Sequence, residues 1–486
     1  MQTFEQTAKL AEGYGLVPVS LTLPIGSATP QEVFLKLKNL SRQCFILDSA
    51  ENSSRHGRYT FLGYDPGLEF TAKNGEVKIK SAASITLRSD DPSEQIRAIL
   101  ADNRSPRVDG LPPFTGGLVG YFSYDYIRYA EPQLNLGGTD LEGFKDIDLM
   151  LFDKVIAFDF LENVIYLITN VRTDALSENY NRAVSELESL RRVLESGKAI
   201  EPKKLALKTE FTPLFDKARY CEMVEKAKHY IREGDIFQVV LSNSLTAEAD
   251  GSLFETYGIL RGSNPSPYMF YFSSDDIEIA GAAPETLVKL QNGIVSTFPL
   301  AGTKPRGKTP ELDAELEREL LSDPKERAEH NMLVDLGRND IGKISKFGSV
   351  HVAEYMTIEK FSHVMHIGST VNGEIRPDYG AVDAVAALLP AGTLSGAPKI
   401  RACEIIGELE GNRRGIYGGA IGYLAFNGDM DTCIAIRIAF KKNDKVFVRS
   451  GAGIVADSIP ENEYEECINK AQAVVNAVKS ASEVRL

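Results

Sequence analysis

The 486-residue sequence contains no tryptophan, and its five cysteines show no CxxC spacing. Scattered cysteines argue against a disulfide framework and against a thiolate zinc site, and they favour a reducing cytoplasmic compartment. No apolar run approaches the ~20 residues of a membrane-spanning helix. The N-terminus also lacks the basic start and apolar core of a signal peptide. We therefore expect a cytoplasmic protein without a membrane partner.

Positive charge is scarce as well. Lys and Arg number 54 against 68 Asp and Glu, which gives a formal net charge of −14. Such a charge balance disfavours nucleic acid and acidic membranes as partners. An anionic substrate would then need a local cationic pocket or a metal ion. The length exceeds what one small hydrophobic core supports, so two domains or one large composite domain are expected.

Strand and turn signals indicate the domain organisation. Apolar or alternating runs joined by Asn-Gly and Glu-Asn turns, as in antiparallel hairpins, lie at 44–49, 58–64, 68–80 and 154–171. An amphipathic helix and a polar stretch follow them. We predict an N-terminal region over 1–196, a linker over 197–210 and a second domain over 211–486. Groups of strands interrupted by helices favour an α+β fold with antiparallel sheets.

Two predicted helices each carry a pair of carboxylates on one face. Glu326 and Glu329 lie at i and i+3 on a helix that Asp323 would cap, and Glu463 and Glu466 repeat the spacing on a second helix. Carboxylate oxygens are the ligands that Mg²⁺ prefers in proteins. The two helices could therefore hold a Mg²⁺ ion with open positions for an anionic substrate.

The same acidic residues also have a structural interpretation. Carboxylates in a first helical turn complement the helix dipole, and Glu466 with Lys470 has the i, i+4 spacing of a surface ion pair. Ser458 is the predicted N-cap of the second helix. From spacing alone, both interpretations stay open.

Other segments are equally ambiguous when taken singly. A glycine turn at 451–453 follows a strand, Thr393 lies at a helix start with free amides, and Gly302-Thr303 begins a basic loop. Each could bind an anion or could be an ordinary turn. His366 is either a catalyst or a core histidine. Arg437 lies among apolar strand residues, where a guanidinium needs an anionic partner from the protein or a ligand.

Together, ordered blocks over 211–480 resemble the chorismate-binding enzyme family. The matching blocks include GDIFQVVLS, GAAPETLVK, FPLAGTKPRG, PAGTLSGAPK, GIYGGAIGY, IAIRIAF and SGAGIVADSIPENEYEE. The segment ILDSAENSSRHGRYTFLG (46–63) is similar to the amino-acid-sensing segment of the anthranilate synthases in this family. The resemblance implies the family's fold, in which large antiparallel sheets form a composite core and helices pack outside. It also implies a tryptophan-sensing region over 1–196 and a catalytic domain over 211–486.

Two positions bear on the nucleophile that the resemblance implies. Family members that add water carry a lysine where this chain has Gln238, and many aminodeoxychorismate synthases carry a lysine at the position of Ala301. A neutral amide cannot deprotonate water, so ammonia is the expected nucleophile. The implied reaction is Mg²⁺-dependent amination of chorismate followed by pyruvate elimination to give anthranilate, the first step of tryptophan biosynthesis. The alternatives are aminodeoxychorismate synthase component I and a non-catalytic amino-acid-binding regulatory protein.

The resemblance also implies roles for single residues. Glu329 and Glu466 would bind Mg²⁺, with Glu326 and Glu463 beside them as second-shell or water-bridging carboxylates. Glu285 would protonate the departing ring hydroxyl, and His366 and Thr393 would lie near the later proton transfer. The implied chorismate contacts are Gly302, Thr303, Tyr417, Arg437, Gly451, Ala452, Gly453 and Lys470.

Regulation and ammonia supply are further implications. None of the five cysteines lies in a glutaminase-like nucleophile turn, so a separate glutamine amidotransferase subunit would supply ammonia. Tryptophan would bind as feedback inhibitor between Ser49 and the segment Pro267, Tyr268 and Met269. The family usually has glutamate where this chain has Asp48, and this difference leaves the tryptophan sensitivity open.

Overall fold

The structure, a computed structural model, describes residues 1–49, 57–134, 136–361 and 364–482. These residues form two large antiparallel β-sheets with helices on their outer faces. The predicted α+β class with a composite β-core is confirmed. Within the described residues, no helix is both long and apolar enough to cross a membrane.

The helices are α1 (Phe4–Leu10), α2 (Pro30–Lys38), α3 (Ser93–Asp102), α4 (Ile127–Ala130), α5 (Leu176–Ser196), α6 (Lys217–Arg232), α7 (Phe254–Ser263), α8 (Pro310–Ser322), α9 (Pro324–Gly342), α10 (Ala381–Leu388), α11 (Lys399–Glu410) and α12 (Pro460–Ala481).

The strands are β1 (Leu16–Pro24), β2 (Cys44–Asp48), β3 (Tyr59–Tyr64), β4 (Leu68–Lys73), β5 (Glu76–Lys80), β6 (Ser84–Arg88), β7 (Gly117–Phe122), β8 (Ile147–Phe152), β9 (Lys154–Asp159), β10 (Val164–Arg172), β11 (Ala206–Leu207), β12 (Thr212–Pro213), β13 (Gln238–Asp250), β14 (Tyr268–Ser273), β15 (Glu278–Ala283), β16 (Thr286–Gln291), β17 (Ile294–Thr297), β18 (Leu300–Pro305), β19 (His351–Lys360), β20 (Val364–Glu374), β21 (Gly396–Ala397), β22 (Ala420–Ala425), β23 (Met430–Ile434), β24 (Ile438–Lys442) and β25 (Lys445–Ile454).

Both sheets combine strands from the two sides of the predicted linker. The first sheet has the order β1-β10-β9-β3-β2-β14-β15-β24-β25-β13-β11, and β12 and β21 also pair with β13. The second has the order β18-β20-β17-β16-β23-β22-β7-β8-β4-β5-β6, and β19 also pairs with β20. Residues 206–207, inside the predicted linker, pair with β13. The boundary at 197–210 stays a prediction, but the sheets are continuous across it.

Two of the points at which the chain passes directly from one sheet to the other are neighbours. Between β15 and β16 the crossing consists of Pro284 and Glu285, and between β23 and β24 it consists of residues 435–437. The two crossings are tied by backbone hydrogen bonds, from Ile434 N to Glu285 O at 3.0 Å and from Ala282 N to Arg437 O at 3.2 Å. Strands that change sheets make the corners of a packed pair of sheets. Here that corner carries two predicted site residues.

Three apolar layers fix the positions of the sheets. Side chains between the sheets include Phe45, Phe114, Phe152 and Phe270, all nearly inaccessible to solvent. A second layer lies between the first sheet and helices α2, α5, α7 and α12, and a third lies between the second sheet and helices α3 and α10. Burial of this apolar surface is the main force that holds the crossings in place.

The starts of the two acidic helices differ from each other. Asp323 is the N-cap of α9, and its carboxylate accepts from the amides of Lys325 and Glu326, as predicted. The prediction of Ser458 as N-cap of α12 is wrong, because that helix begins at Pro460 after Ile459. The Ser458 hydroxyl instead closes the preceding turn by accepting from Val455 N at 3.0 Å.

Candidate active site

Glu285 occupies the crossing between the sheets and is held by one hydrogen bond. The Thr393 hydroxyl donates to Glu285 Oε1 at 3.0 Å. Both side chains line a small cavity of about 40 Å³, here called the Glu285 cavity, to which Thr286, Asp340 and Ile434 also contribute. Burial raises the pKa of Glu285 to about 7, against the opposing effects of the Thr393 hydrogen bond and the Arg437 charge. The carboxyl is therefore suited to donate a proton near neutral pH.

His366 lies on β20 with a defined tautomer. Its Nδ1 is 2.7 Å from the carbonyl oxygen of Gly302 and 3.2 Å from Thr303 Oγ1. Because a carbonyl only accepts, Nδ1 carries the proton and Nε2 keeps its lone pair. Burial lowers the pKa of His366, with the Arg437 charge acting in the same direction and the Gly302 hydrogen bond opposing it. The imidazole is therefore neutral at neutral pH and can act as a base.

The shifts of these two groups reverse their usual order of titration. The Glu285 pKa rises to about 7 while that of His366 falls below its usual value. A protonated carboxyl and a neutral imidazole therefore coexist near neutral pH, which is the arrangement required for one acid and one base in the same site.

We expect kcat/KM to fall above about pH 7, because the Glu285 pKa of about 7 means that the carboxyl loses its proton there. With free ammonia kept constant, the decline should approach about tenfold per pH unit. Thr393→Val removes the bond that favours the ionised carboxyl, so its alkaline limb should move to higher pH. Initial rates measured from pH 6 to 9 test this, and identical profiles for both proteins would contradict it.

Gly302 and Thr303 lie on β18 between His366 and the first acidic helix. Gly302 has φ +66°, and a β-carbon there would lie 3.0 Å from Glu326 Oε2 and 2.9 Å from Leu320 Cδ1. A side chain at this position would be strained and crowded. The structure thus brings together the histidine, the glycine loop and one of the four predicted carboxylates.

Arg437 is not a strand residue, as IAIRIAF had suggested. β23 ends at Ile434 and β24 begins at Ile438, and Arg437 in the crossing has φ +52°. Strained backbone of this kind in a non-glycine residue is concentrated at functional sites. The side chain is exposed to solvent, and desolvation by the surrounding protein lowers its pKa while Glu285 opposes the shift. Its guanidinium is therefore available to an anionic ligand.

Residues 451–453 form part of a strand rather than the predicted turn. They belong to β25 and pair with residues 240–242 of β13. The other neighbour of β25, β24, reaches only as far as Val448. Alternate amides of an antiparallel strand point to opposite sides. Amides over 451–453 that point away from β13 therefore have no strand partner within the described part of the chain, and they can face a ligand.

Two further side chains approach this part of β25. A β-carbon at Gly451 would lie 3.0 Å from the Tyr417 hydroxyl, and one at Gly453 would lie 3.1 Å from Gln238 Nε2. Tyr417 is buried, and burial raises its pKa above the usual range. The Tyr417 phenol therefore stays protonated and can donate a hydrogen bond beside the strand.

The predicted metal carboxylates of α9 and α12 lie close enough for their charges to act on one another. Burial raises the pKa of Glu329, and the neighbouring Glu326 and Glu466 raise it further. Burial likewise raises the pKa of Glu463, with the Glu466 charge adding to the effect. A divalent cation would relieve this crowding of like charges, and an all-carboxylate donor set fits Mg²⁺. The described residues contain no group of three ligands already converged on one point.

Lys470 keeps its structural interpretation alongside the functional one. Its ammonium lies 2.7 Å from Glu466 Oε1, and both side chains are about half exposed. The predicted i, i+4 surface pair is therefore present. The positive charge of Lys470 also lowers the pKa of Glu329, which indicates that Lys470 lies near the predicted metal carboxylates.

The predicted tryptophan contacts line one separate pocket of about 140 Å³, here called the Ser49 pocket. Ser49, Pro267, Tyr268 and Met269 all belong to its wall. The Ser49 hydroxyl is buried without a hydrogen-bond partner among the described residues. A buried hydroxyl without a partner is costly, so this side chain is ready to bond a ligand.

Asp48, the residue that departs from the family pattern, accepts four hydrogen bonds from other groups of the protein. Its carboxylate accepts from Arg261 Nε at 2.6 Å, from the Tyr257 hydroxyl at 3.1 Å and from the Thr60 hydroxyl at 2.5 Å. It also accepts from the backbone N of Ser49 at 2.8 Å. Asp48 therefore holds Ser49 in place, and it also lines the Ser49 pocket.

Sequence reasoning missed two buried charged groups. Arg449 lies in a strand as apolar as the one assigned to Arg437, and it donates to Glu410 at 2.7 Å, as Arg414 does at 2.6 Å. The argument that an arginine among apolar strand residues needs an anionic partner applies equally to Arg449. It would have predicted a partner for Arg449, and that partner, Glu410, belongs to the protein. The second group is the pair of Lys399 and Asp340, 2.6 Å apart, which fixes the end of α9 against the start of α11.

Comparisons with known proteins agree with this geometry. The sequence profile of the chorismate binding enzyme family matches residues 42–476. The chain is 44% identical over 492 residues to anthranilate synthase component 1 of Acetivibrio thermocellus, covering 99% of each chain. It is 45% identical over 482 residues to the protein of the same name from Acinetobacter calcoaceticus, covering 97% of this chain and 96% of that one.

A solved structure shows the same relationship. The crystal structure of anthranilate synthase component I from Streptococcus pneumoniae TIGR4 superposes with a TM-score of 0.77 at 40% identity, covering 87% of this chain and 93% of that chain. Sequence and fold therefore point to the same group of proteins.

Proposed function

The chain belongs to the chorismate binding enzyme family, and we propose that it is an anthranilate synthase large subunit, a lyase that converts chorismate and ammonia into anthranilate and pyruvate. The observation that carries this proposal is the 44% identity, over 492 residues, to an anthranilate synthase component 1, and the site supplies the groups for the reaction. A carboxyl with a pKa of about 7 and an imidazole with a lowered pKa provide an acid for one step and a base for another.

In the first step, ammonia adds to the ring while the ring hydroxyl leaves. Glu285 donates its proton to that hydroxyl, which departs as water, and Thr393 stabilises the resulting carboxylate through its hydrogen bond. Gln238 beside Gly453 has no basic form, which suits a nucleophile that needs no deprotonation to attack. Arg437 and the free amides over 451–453 would hold the enolpyruvyl carboxylate.

In the second step, a base removes a ring proton, the C–O bond to the enolpyruvyl group breaks, and that group takes up a proton at its methylene carbon to leave as pyruvate. The ring thereby becomes aromatic. The Nε2 atom of His366 is the base that this geometry favours, since Nδ1 is occupied by the carbonyl of Gly302. Glu329 and Glu466 would hold Mg²⁺, assisted by Glu326 and Glu463. When bound, Mg²⁺ supplies positive charge for the ring carboxylate of the substrate.

The need for ammonia indicates which partner protein the chain requires. Anthranilate synthase component 1 is by name one part of a larger enzyme, and this chain has no cysteine in a glutaminase-like turn. We infer that a separate glutamine amidotransferase subunit supplies ammonia and that ammonium at high concentration replaces it.

Tryptophan is the inhibitor that the Ser49 pocket fits best. Its wall combines aromatic rings, among them Tyr268 and Tyr423, with charges of both signs, among them Asp431 and Lys289. An aromatic amino acid presents an ammonium, a carboxylate and a ring, and each finds a complementary group there.

Ser49→Ala should weaken tryptophan inhibition by about tenfold, the effect of one lost hydrogen bond to a charged group. The hydroxyl has no other partner among the described residues, so its removal leaves the rest of the pocket intact. Inhibition curves for both proteins, each normalised to its own rate without tryptophan, measure the change. Superimposable curves would place the inhibitor elsewhere.

The decisive experiment supplies the purified chain with chorismate, Mg²⁺ and ammonium at mildly alkaline pH and follows anthranilate fluorescence and pyruvate together. Equal amounts of both products are expected. Loss of chorismate without pyruvate would instead identify an aminodeoxychorismate synthase, in which case Ala301 would not mark the difference between the two activities.

A further inference from the structure

The Ser49 pocket and the Glu285 cavity share a thin wall. Cys433 lines the Ser49 pocket, and the next residue, Ile434, lines the Glu285 cavity. Thr286, which pairs with Cys433 across β16 and β23, also lines the Glu285 cavity. One layer of residues therefore separates the predicted inhibitor site from the predicted acid.

A chain of three side chains crosses this wall. The Tyr268 hydroxyl in the Ser49 pocket lies 2.7 Å from Asp431 Oδ1 and 2.8 Å from Thr286 Oγ1. A phenol has one proton, and the carboxylate can only accept it, so Thr286 must donate to the Tyr268 oxygen. The direction of donation is thus fixed from Thr286 through Tyr268 to Asp431, and each bond polarises the next.

Tyr268 also contacts the residue that precedes the crossing of Pro284 and Glu285. It pairs with Ala283 across β14 and β15, while its hydroxyl bonds Thr286. Only Pro284 and Glu285 lie between these two positions. The acid is therefore the second residue of a two-residue link, and Tyr268 fixes both ends of that link.

We propose that Tyr268 is a positioning residue for Glu285 and that an amino acid in the Ser49 pocket inhibits the enzyme by taking Asp431 away from it. The inference rests on the proposed function and adds the route of its regulation. The ammonium of the ligand competes with the Tyr268 hydroxyl for the Asp431 carboxylate. Once that bond is lost, Thr286 is released and the Glu285 link is no longer aligned with the substrate. A ligand that binds this second state better shifts the enzyme towards it.

Tyr268→Phe tests the proposal, because it removes the hydroxyl and keeps the ring that forms the pocket wall. Without tryptophan, kcat should fall by about three- to tenfold with little change in KM for chorismate, as expected for loss of one aligning hydrogen bond. Calorimetry should show that tryptophan binds at least as tightly as in the wild type, because the hydroxyl that competes for Asp431 is gone. Added tryptophan should nevertheless reduce the remaining rate much less than in the wild type.

The matched control is Tyr271→Phe on the same strand. Tyr271 faces the opposite side of the sheet and its hydroxyl lies 3.2 Å from Ser252 Oγ, so this variant also loses a buried hydroxyl. It should keep the wild-type kcat and the full extent of inhibition. An equal loss of coupling in both variants would show that any buried defect in β14 has this effect, and it would overturn the proposal.

Two other outcomes also overturn it. Unchanged kcat and unchanged inhibition in Tyr268→Phe would show that the Tyr268 hydroxyl neither positions Glu285 nor couples the Ser49 pocket to it. Loss of calorimetric tryptophan binding would make the hydroxyl a ligand contact instead. Failure of the proposed function gives a different result, because the wild type itself would then form no anthranilate. The proposed role of Tyr268 in regulating that reaction would then be wrong as well.

Discussion

Glu285→Gln should lower kcat for anthranilate formation by about 10²- to 10⁴-fold, the contribution of a positioned general acid. Glutamine keeps the shape of the side chain and can still accept the Thr393 hydrogen bond, but it has no proton to transfer. The KM for chorismate should change much less, because the loss concerns the reaction step. Steady-state kinetics with ammonium as the nitrogen source measure both quantities.

The control for this variant is the retention of fold and ligand binding. Thermal unfolding and tryptophan calorimetry should resemble those of the wild type, because the Ser49 pocket keeps all of its own lining residues. A Glu285→Gln protein that retains more than about a tenth of the wild-type kcat would not fit a general acid, and another group would have to protonate the leaving hydroxyl.

Glu329→Gln and Glu466→Gln should each sharply reduce turnover at Mg²⁺ concentrations that saturate the wild type. Each substitution removes one of the two carboxylates proposed to hold the ion and halves the protein's direct charge on it. The activity that remains should require much more Mg²⁺ for half saturation. Titration of Mg²⁺ at saturating chorismate measures this, with a chelator-treated sample as the zero point.

Glu465→Gln is the matched control for the metal variants. Glu465 neighbours Glu466 on α12, but its carboxylate pairs with Lys217 at 2.8 Å and is exposed. It removes the same charge from the same helical turn without facing α9. If Glu466→Gln and Glu465→Gln have the same Mg²⁺ dependence, then Glu466 does not bind the ion.

Most features set by local spacing could be predicted from the sequence, although the predicted Ser458 cap of α12 was wrong. The pair Glu326 and Glu329 follows from a helix of 3.6 residues per turn, and Asp323 caps it for reasons contained in four consecutive residues. The antiparallel sheets were likewise visible from hairpin turns. Their order was not, because pairing between distant strands leaves no periodic signal in either one.

Features that depend on the crossings between the sheets could not be predicted. Residues 451–453 look like a turn because two glycines flank an alanine, but β13 supplies a partner strand more than two hundred residues away in sequence. Arg437 looked like a strand residue because its neighbours are apolar on both sides. Those neighbours are buried in two different sheets, and the arginine belongs to neither.

The chain of Thr286, Tyr268 and Asp431 shows the same limit. Its members come from three strands in both sheets, and each alone is an ordinary strand residue. Asp48 and Arg261 also meet across a separation of 213 positions. Such contacts arise from tertiary packing, and a single sequence contains no signal that would join them.

The interleaved order of the strands has a consequence for how the protein is made. Among the described strands of the second sheet, β22 and β23 connect β7 on one side with β16 on the other. A ribosome therefore releases most of the chain before residues 420–434 emerge to close the gap. Until then β7 and β16 present unpaired edges, which are sites of aggregation. Substitutions in β22, or in β23 at positions other than Asp431, should accordingly reduce the yield of folded protein more than its activity once folded.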